Sequence, residues 1–474
     1  MNLLTHFLGI WPEIFLFIGI MILLLYGLFI TNNILNSSSI AIFILFLTGF
    51  LILNQSIQIP SLILNEHFIM DSLGQFGKIL ILIGTISHFI FSNHYFLKEQ
   101  IKKSEYSLLI LLSILGLLLF ISAYDLISLY LTLELQALAL YVLASYKRNS
   151  EYSTEAGLKY FILGAFSSGL FLFGSSLIYG FSGLTQFNDL IAFVTIGEIP
   201  IGFQIGIIFL LIGLLFKIAA VPFHFWIPDV YEGSPTSVTA YFAIVPKVSI
   251  IIVFIRLLDF FFESFTFNVT SLFSVLAFLS LIVGSLGALF QTRIKRLLAY
   301  SAIGHIGYLL LGFAAHSTES MVAILVYLSI YIITLIIIFA IILSLYSNEM
   351  NIKYITELSG LAQLNPWLGF IFSFMLFSLA GIPPLAGFFG KLNLLMSTIH
   401  QSLYFITIIA VLISVMSTFY YIRIIEIIYF DSMNENLKII WTFQNKSIIM
   451  ILGLIHLLYF FYSDGVLNWM TNLF

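Results

Sequence analysis

The sequence predicts an all-α polytopic membrane protein with about fourteen transmembrane helices. Hydrophobic residues make up 61% of the 474 residues and charged residues only 8%, whereas soluble domains carry about 25% charged residues. Apolar runs of about 20 residues, the length that crosses the hydrocarbon core, recur along the whole chain. These features exclude a soluble globular fold.

The apolar runs give the order of the predicted helices, which we call spans 1 to 14. We expect span 1 to be retained, because the N-terminus lacks the positive segment of a secretory signal and the Arg-rich character of a transit peptide. The predicted spans are 7–30, 40–53, 68–91, 107–123, 126–146, 155–179, span 7 from 201, 238–258, 272–290, 298–315, 321–346, span 12 from 366, 403–430 and 447–461.

Basic residues between the spans predict the orientation of the chain, because Lys and Arg gather on the inner side of a membrane. With the N-terminus on the outer, positive side, eleven basic residues fall in inward-facing loops and none in the opposite loops. These eleven are Lys98, Lys102, Lys103, Lys147, Arg148, Arg293, Lys295, Arg296, Lys353, Lys438 and Lys446.

Composition also limits the partners and cofactors. The formal net charge of −4 offers no basic surface for nucleic acid, so we expect membrane lipids and membrane proteins as partners. The absence of cysteine excludes disulfides and cysteine-ligated iron-sulfur clusters, and the nine histidines show no metal-binding spacing. We therefore expect no cofactor and no metal in this chain. Abundant Ile, Leu and Phe with little Arg and Ala indicates AT-rich codons and an organellar gene.

Two similar segments predict an internal repeat. FKIAAVP at 216–222 and FSLAGIP at 377–383 each place a proline inside a long apolar run, where proline removes a backbone donor and breaks the helix. Their positions predict broken helices 7 and 12 within two inverted five-helix repeats, spans 4–8 and 9–13, as in many transporters. The alternative is that proline is simply common in membrane helices. The predicted segments are 1–105 (spans 1–3), 106–260 (first repeat), 261–430 (second repeat) and 431–474 (span 14).

Four charged residues lie deep within predicted spans: Glu134, Lys217, Lys247 and Lys391. A charge at a helix centre costs about 2.5 to 3.5 kcal/mol even on the lenient insertion scale, so it marks a functional site by default. Buried lysines and glutamates exchange protons near neutral pH when hydrated, because burial disfavours their charged forms. We interpret the four as a proton relay, with Glu134 and Lys217 as a switchable ion pair.

The other cations within spans have simpler explanations. Lys78, Arg256 and Arg423 lie nearer the span ends, where snorkelling to the interface explains them. Lys159 follows Glu155 by four residues, an arrangement that favours pairing on a helix. For Lys159 a plain ion pair and a role in the relay both remain open.

Two histidines are further candidates for the relay, because the histidine pKa lies near physiological pH. His224 lies beside the Pro222 break, and His305 lies in the segment AYSAIGHIGYLL. His88 and His456 also lie within spans but have no charged companions in sequence.

These residues lie in motifs that resemble the antiporter-like membrane subunits of respiratory complex I. The resemblance covers most of the chain, and its motifs are LYLTLELQALALYVLASYKRNS, STEAGLKYFILGAFSSG, FKIAAVPFHFWIPDVYEGSPTSVTAYFAIVPK, QTRIKRLLAYSAIGHIGY and FSLAGIPPLAGFFGK. It implies a 14-helix proton channel with functional residues at Glu134, Lys217, Lys247 and Lys391 and no redox cofactor in the chain.

The resemblance also implies a biological setting. The chain would translocate protons while other subunits, containing FMN and iron-sulfur clusters, pass electrons from NADH to ubiquinone. Expected partners are the antiporter-like chain 4 and chain 4L, in the mitochondrial inner membrane or a bacterial plasma membrane. The alternative function is a subunit of a multisubunit cation/proton antiporter, whose subunits share the helix-breaking motifs.

Overall fold

The structure is a computed structural model that describes residues 9–29, 34–55, 60–99, 104–196, 199–258, 260, 269–347, 350–440 and 442–474. Of the predicted inward-facing cations, Lys102 and Lys103 lie outside these residues. The orientation of the chain in the membrane stays a prediction.

Helices dominate the described chain, and short strands connect some of them. The helices are α1 (Trp11–Phe29), α2 (Ile34–Leu53), α3 (Ser72–Lys98), α4 (Glu105–Ser122), α5 (Leu126–Ala144), α6 (Glu151–Ser182), α7 (Phe187–Ile196), α8 (Ile201–Ile218), α9 (Trp226–Gly233), α10 (Thr236–Ile244), α11 (Pro246–Arg256), α12 (Val269–Leu289), α13 (Ile294–Ala315), α14 (Thr318–Ser344), α15 (Leu361–Leu364), α16 (Pro366–Ala380), α17 (Ala386–His400), α18 (Tyr404–Phe430) and α19 (Phe443–Thr471), with a 3-10 turn at Ile355–Leu358. The strands are β1 (Ser61–Ile63), β2 (Phe68–Met70), β3 (Leu345–Ser347), β4 (Met350–Asn351) and β5 (Leu437–Ile439).

The helices confirm the predicted all-α membrane fold. Among the described residues, 12 helices are long and apolar enough to cross a membrane, and Ser37–Leu53 and Pro366–Ala380 are shorter apolar helices. The number of membrane crossings and the inverted relation of the two repeats stay predictions.

Span 3 begins later than predicted. Phe68–Met70 forms β2, which pairs antiparallel with β1 in the register Ser61↔Met70, and α3 begins at Ser72. The carboxylate of Asp71 accepts the N–H of Gly74 at 2.9 Å, which is how a residue before a helix caps its first turn. The prediction missed this because hydropathy alone does not separate three apolar strand residues from a helix.

The second sheet was not predicted either. Strand β3 lies between β4 and β5, and both pairs are antiparallel. Tyr346 is opposite Asn351 on one side and Lys438 on the other. Strands of two or three residues are too short to show an alternating pattern in the sequence.

The structure confirms both predicted helix breaks. Helix α8 ends at Ile218 and α9 begins at Trp226, so Pro222 lies in the gap. Helix α16 ends at Ala380 and α17 begins at Ala386, which leaves Pro383 in a second gap. A third interruption was not predicted: span 8 is divided between α10 and α11, which begins with Pro246. Proline lacks the N–H that would continue the hydrogen-bond ladder.

The contacts divide the chain into two compact units. The first contains Met1–Phe89, Phe96–Ile218 and Val245–Val269, and the second contains Ile90–Tyr95, Ala219–Ile244 and Thr270–Phe474. The four segments predicted from the sequence stay a prediction.

In the first unit, glycines allow α6 and α8 to pack closely. A Cβ added at Gly174 would lie 2.5 Å from the carbonyl oxygen of Gly206, and a Cβ at Gly206 would lie 2.9 Å from the carbonyl oxygen of Gly174. Small residues at a crossing let two membrane helices approach closely. This packing fixes the helix whose last turn carries Lys217.

Ion pairs also connect elements of the first unit. Arg256 donates to both carboxylate oxygens of Asp71 at 2.7 Å and also to the carbonyl oxygen of Ile121. This joins α11 to the start of α3 and the end of α4, so Arg256 has a structural role, but through a partly buried ion pair and not through the expected snorkelling. Lys78 differs from the expectation in the same way: it is buried and pairs with Glu13 at 2.5 Å instead of reaching an interface. The sequence did not show this because the partners are 65 positions apart.

In the second unit, α14 is the central helix. It packs against α13, α16, α17 and α19, and most of its side chains are buried. Arg423 of α18 makes a long contact of 3.4 Å with the carbonyl oxygen of Leu289. The helices around α14 bring together the residues of the second candidate site.

Candidate proton-transfer sites

Lys217 is the centre of the candidate site in the first unit. It lies in the last turn of α8, and its side chain is buried. Its ammonium nitrogen donates to the hydroxyl oxygen of Tyr141 at 3.2 Å and lies 5.5 Å from the centroid of the same ring. Tyr141 is its single hydrogen-bond partner among the described residues. A buried charge therefore rests on one neutral hydroxyl and an aromatic ring.

The position of Tyr141 depends on a glycine of the neighbouring helix. A Cβ added at Gly164 of α6 would lie 2.2 Å from the Tyr141 hydroxyl oxygen and 2.7 Å from two ring carbons. Tyr160 packs edge-on against the ring, with centroids 4.9 Å apart. Gly164 thus leaves the space in which the Tyr141 hydroxyl meets Lys217.

Glu134 lies on α5, two turns before Tyr141 on the same helix. Its Oε1 atom is buried and has no hydrogen-bond partner among the described residues. Its carboxylate interacts electrostatically with Lys217, but no salt bridge joins the two in the described part of the chain. The structure therefore shows the two charges separated, and a switch to a direct pair stays a prediction.

Lys247 belongs to the same unit and is also buried. It is the second residue of α11, directly after Pro246. Proline is common in the first turn of a helix because its missing N–H has no partner there anyway. The proline directly before Lys247 is thus the first residue of a helix.

Lys391 is the centre of the candidate site in the second unit. It lies on α17 and is buried. Its ammonium donates to the carbonyl oxygens of Leu379 and Ala380, each at 2.8 Å, and lies 5.0 Å from the Tyr308 ring centroid. The two carbonyls end α16, where the helix dipole places partial negative charge that favours a cation. The break at Pro383 therefore makes the acceptors for Lys391.

Gly381 makes room for this arrangement. It caps α16 with φ +84°, in the left-handed region that glycine adopts without strain. A Cβ there would lie 2.9 Å from Cδ and 3.2 Å from Nζ of Lys391. Both the turn and the path of the lysine side chain thus need glycine at this position.

His305 lies in a hydrogen-bonded chain of hydroxyl groups in the second unit. Its Nδ1 contacts the Tyr327 hydroxyl at 2.5 Å and its Nε2 contacts the Tyr421 hydroxyl at 3.1 Å. The Tyr421 hydroxyl continues to the Ser301 hydroxyl at 2.5 Å. Since a hydroxyl both donates and accepts, this chain can adjust to a neutral or a protonated imidazole.

Lys391 and His305 also line the same two small cavities. Each has a volume of about 10 Å³, which is about the room that one water molecule needs. The two protonatable side chains thus face the same two cavities. We call His305, Lys391 and the hydroxyls bonded to His305 the second cluster, and Glu134, Tyr141 and Lys217 the first cluster.

Three candidates lie outside these clusters: Lys247, described above, Lys159 and His224. Lys159 pairs with Glu155 at 2.7 Å, with side chains that are 40% and 58% exposed, so the ion-pair alternative describes what the structure shows. His224 lies in the gap between α8 and α9, where its Nδ1 is buried without a hydrogen-bond partner among the described residues. No described hydrogen bond connects either residue to Lys217 or Lys391.

Sequence reasoning missed the hydroxyl groups around the charges. Each of Tyr141, Tyr327 and Tyr421 makes a hydrogen bond to a candidate proton carrier. The chain contains 24 tyrosines, so a tyrosine in an apolar run carries no signal by itself. The one clue available in the sequence is a tyrosine that follows a buried charge by whole helical turns. Tyr141 follows Glu134 in this way on α5.

Comparison with known proteins shows the family of the chain. Residues 123–417 match the family described as NADH:quinone oxidoreductase/Mrp antiporter, TM. The chain is 43% identical over 463 residues to NADH-quinone oxidoreductase subunit N of Pelagibacter ubique, covering 97% of each protein. It is 42% identical over 481 residues to NADH-ubiquinone oxidoreductase chain 2 of Marchantia polymorpha, covering 98% of this chain and 97% of that protein.

A solved structure shows the same fold. A chain of respiratory complex I from Thermus thermophilus with bound aureothin superposes with a TM-score of 0.83 at 28% identity, covering 96% of this chain and 98% of that one. This confirms the resemblance to complex I subunits that the motifs indicated. The chain belongs to the NADH:quinone oxidoreductase/Mrp antiporter transmembrane family.

Proposed function

We propose that this chain is a core membrane subunit of a proton-pumping NADH:ubiquinone oxidoreductase. It translocates protons through its buried lysine and glutamate side chains while other subunits transfer electrons from NADH to ubiquinone. The observation that carries the proposal is that each compact unit contains a buried lysine bonded to neutral oxygens. These are Lys217 on Tyr141 in the first unit and Lys391 on the end of α16 in the second.

In the first cluster, the ammonium of Lys217 is the proton carrier. The Tyr141 hydroxyl accepts its hydrogen bond and holds it in place, while the negative charge of Glu134 stabilises the protonated form from a distance. A change in the charge or position of Glu134 therefore shifts the proton equilibrium of Lys217. Lys247, buried in the same unit, is the next carrier.

In the second cluster, Lys391 and His305 exchange a proton across the cavity that both residues line. The hydroxyls of Tyr327 and Tyr421 reorient as the imidazole of His305 gains or loses its proton. We give Lys159 and His224 no step in the transfer.

The redox chemistry belongs to other subunits in this proposal. NADH, FMN, iron-sulfur clusters and ubiquinone bind elsewhere in the complex, and the partners of this chain are chain 4, chain 4L and membrane lipids. The sequence supports this assignment, because the chain has no cysteine to ligate an iron-sulfur cluster. The membrane is the mitochondrial inner membrane or a bacterial plasma membrane.

The test replaces each central lysine by methionine, which keeps most of the volume and removes the charge. We expect Lys217→Met and Lys391→Met each to reduce proton translocation in membranes that contain the fully assembled complex. Lys353→Met is the matched control, because Lys353 is exposed outside the helices. NADH oxidation and vesicle acidification are measured together. Normal pumping by both variants would overturn the proposal.

The antiporter alternative is distinguished by what purifies with the chain. The family includes Mrp antiporters as well as oxidoreductases. We expect an affinity-tagged chain to copurify with NADH-oxidising, flavin-containing subunits. A purified assembly that exchanges cations for protons and contains no such subunits would establish the antiporter function instead.

A further inference from the structure

His456 connects the terminal helix to the second cluster, although the sequence shows no charged companion for it. Helix α19 has 29 residues, and its buried residues are Asn445, Ile449, His456 and Met470. His456 is the ionisable residue of these four. Its Nε2 lies 2.8 Å from the hydroxyl oxygen of Ser378 in the last turn of α16.

Ser378 lines one of the cavities shared by Lys391 and His305. Its hydroxyl oxygen accepts the backbone N–H of Gly387 at 3.1 Å. A serine hydroxyl has one proton to donate and two lone pairs that accept. When the proton points to His456 and Gly387 occupies one lone pair, the other lone pair remains for a donor in the cavity.

Lys391 can be that donor. An ammonium has three N–H groups, and the carbonyl oxygens of Leu379 and Ala380 take two of them. The third N–H is left for the cavity that Ser378 also lines. The cavity has about the room of one water molecule, which can bridge the two groups.

Gly387 keeps Ser378 in this position. A Cβ added at Gly387 would lie 1.9 Å from the Ser378 carbonyl oxygen and 2.7 Å from its hydroxyl oxygen. The start of α17 therefore approaches the end of α16 as closely as a glycine allows. The contact holds the hydroxyl between the cavity and α19.

We propose that His456 is a proton-relay residue that receives protons from Lys391 through the hydroxyl of Ser378. This rests on the function proposed for Lys391. The ammonium of Lys391 gives a proton to the Ser378 oxygen, directly or through water, while the Ser378 hydroxyl gives its own proton to Nε2 of His456. The net change is one proton moved, which leaves a neutral lysine and an imidazolium. Reorientation of the hydroxyl resets the path.

The first test is His456→Gln in the assembled complex. Glutamine still hydrogen-bonds to Ser378, so it preserves a purely structural contact, but it cannot take up a proton. We expect the number of protons translocated per NADH oxidised to fall by nearly as much as in Lys391→Met. His400→Gln is the control, because His400 is exposed and pairs with Glu319. Unchanged pumping by assembled His456→Gln would overturn the relay.

The second test uses the hydroxyl and stays informative if the histidine variant does not assemble. Ser378→Ala removes the bridge, and Ser378→Thr restores a hydroxyl. We expect alanine to lose pumping and threonine to recover much of it. Ser373→Ala is the control, because Ser373 lies on the same helix, is buried and has no hydrogen-bond partner among the described residues. Equal pumping by the alanine and threonine variants would contradict the relay.

The lysine variant separates the two proposals. If Lys391→Met reduces pumping while His456→Gln and Ser378→Ala do not, the relay to α19 is wrong and the proposed function of the chain stands. If Lys391→Met itself pumps normally in an assembled complex, the proposed function of the second cluster is wrong.

Discussion

The hydroxyl of Tyr141 is the group on which the hydrogen bonding of Lys217 in the first cluster depends. Tyr141→Phe removes this hydroxyl and keeps the ring, so the aromatic contact with Lys217 is preserved. The ammonium then loses its single described hydrogen bond, which is 3.2 Å long. Hydrogen bonds to charged groups contribute about 1.5 to 3 kcal/mol.

The hydroxyl can also donate to the neutral amine, but a neutral hydrogen bond is weaker by about 1 to 1.5 kcal/mol, so loss of the hydroxyl destabilises the protonated form of Lys217 more. We therefore expect the ratio of protonated to neutral Lys217 to fall by about 5- to 13-fold in Tyr141→Phe. Proton translocation should fall accordingly, and NADH oxidation should slow with it because the two processes are coupled.

The assay measures NADH oxidation and proton uptake in sealed membrane vesicles, after assembly has been checked on native gels. Tyr160→Phe is the matched control. It removes a buried hydroxyl from the ring that packs against Tyr141, but that hydroxyl does not bond to Lys217. Wild-type pumping by Tyr141→Phe, or an equal loss in both variants, would refute the role of the hydroxyl.

Three further changes test other parts of the two units. Glu134→Gln should lower both NADH oxidation and pumping because it removes the charge that stabilises protonated Lys217. Glu134→Asp keeps the charge and should reduce both activities less. Normal pumping by a fully assembled Glu134→Gln variant would remove Glu134 from the mechanism. Gly381→Ala should lower the midpoint of thermal unfolding and impair pumping. A residue with a Cβ pays about 1 to 2 kcal/mol to adopt the φ of +84°, and this Cβ would collide with Lys391. Normal stability of the variant would contradict this prediction. Arg256→Met should destabilise the complex by about 3 to 5 kcal/mol, because it leaves the partly buried Asp71 carboxylate without its bidentate partner. Thermal unfolding of the purified complex measures this change. A loss of stability below about 1 kcal/mol would contradict the prediction.

The residues that could be predicted from the sequence are those whose presence in a membrane helix costs much free energy. Glu134, Lys217 and Lys391 were visible in the sequence because a charge within an apolar run is expensive unless a function retains it. The breaks at Pro222 and Pro383 were visible because proline cannot continue a helix. Each of these signals is local in sequence, so one chain without relatives is enough to detect it.

The residues that could not be predicted act through contacts that are distant in sequence. Ser378 and His456 are 78 positions apart. A serine or threonine in a membrane helix usually satisfies its hydroxyl on its own helix, as Thr132 does on the carbonyl of Ser128 at 2.7 Å. Ser378 therefore looked the same as any other serine in the sequence. Only the packing of α16, α17 and α19 distinguishes it.

The cations differ in their partners, and this difference matches the roles that we propose for them. Lys78, Lys159 and Arg256 each contact a carboxylate directly. In a medium of low dielectric constant such a contact fixes both charges, because separating or neutralising either one is costly. Lys217 and Lys391 contact neutral hydroxyl or carbonyl oxygens instead. Neutral oxygens hold an ammonium in place and still leave the amine a stable alternative, which a proton carrier requires. The absence of a direct carboxylate partner among the described residues thus separates Lys217 and Lys391 from Lys78, Lys159 and Arg256, although all five lie within the helices.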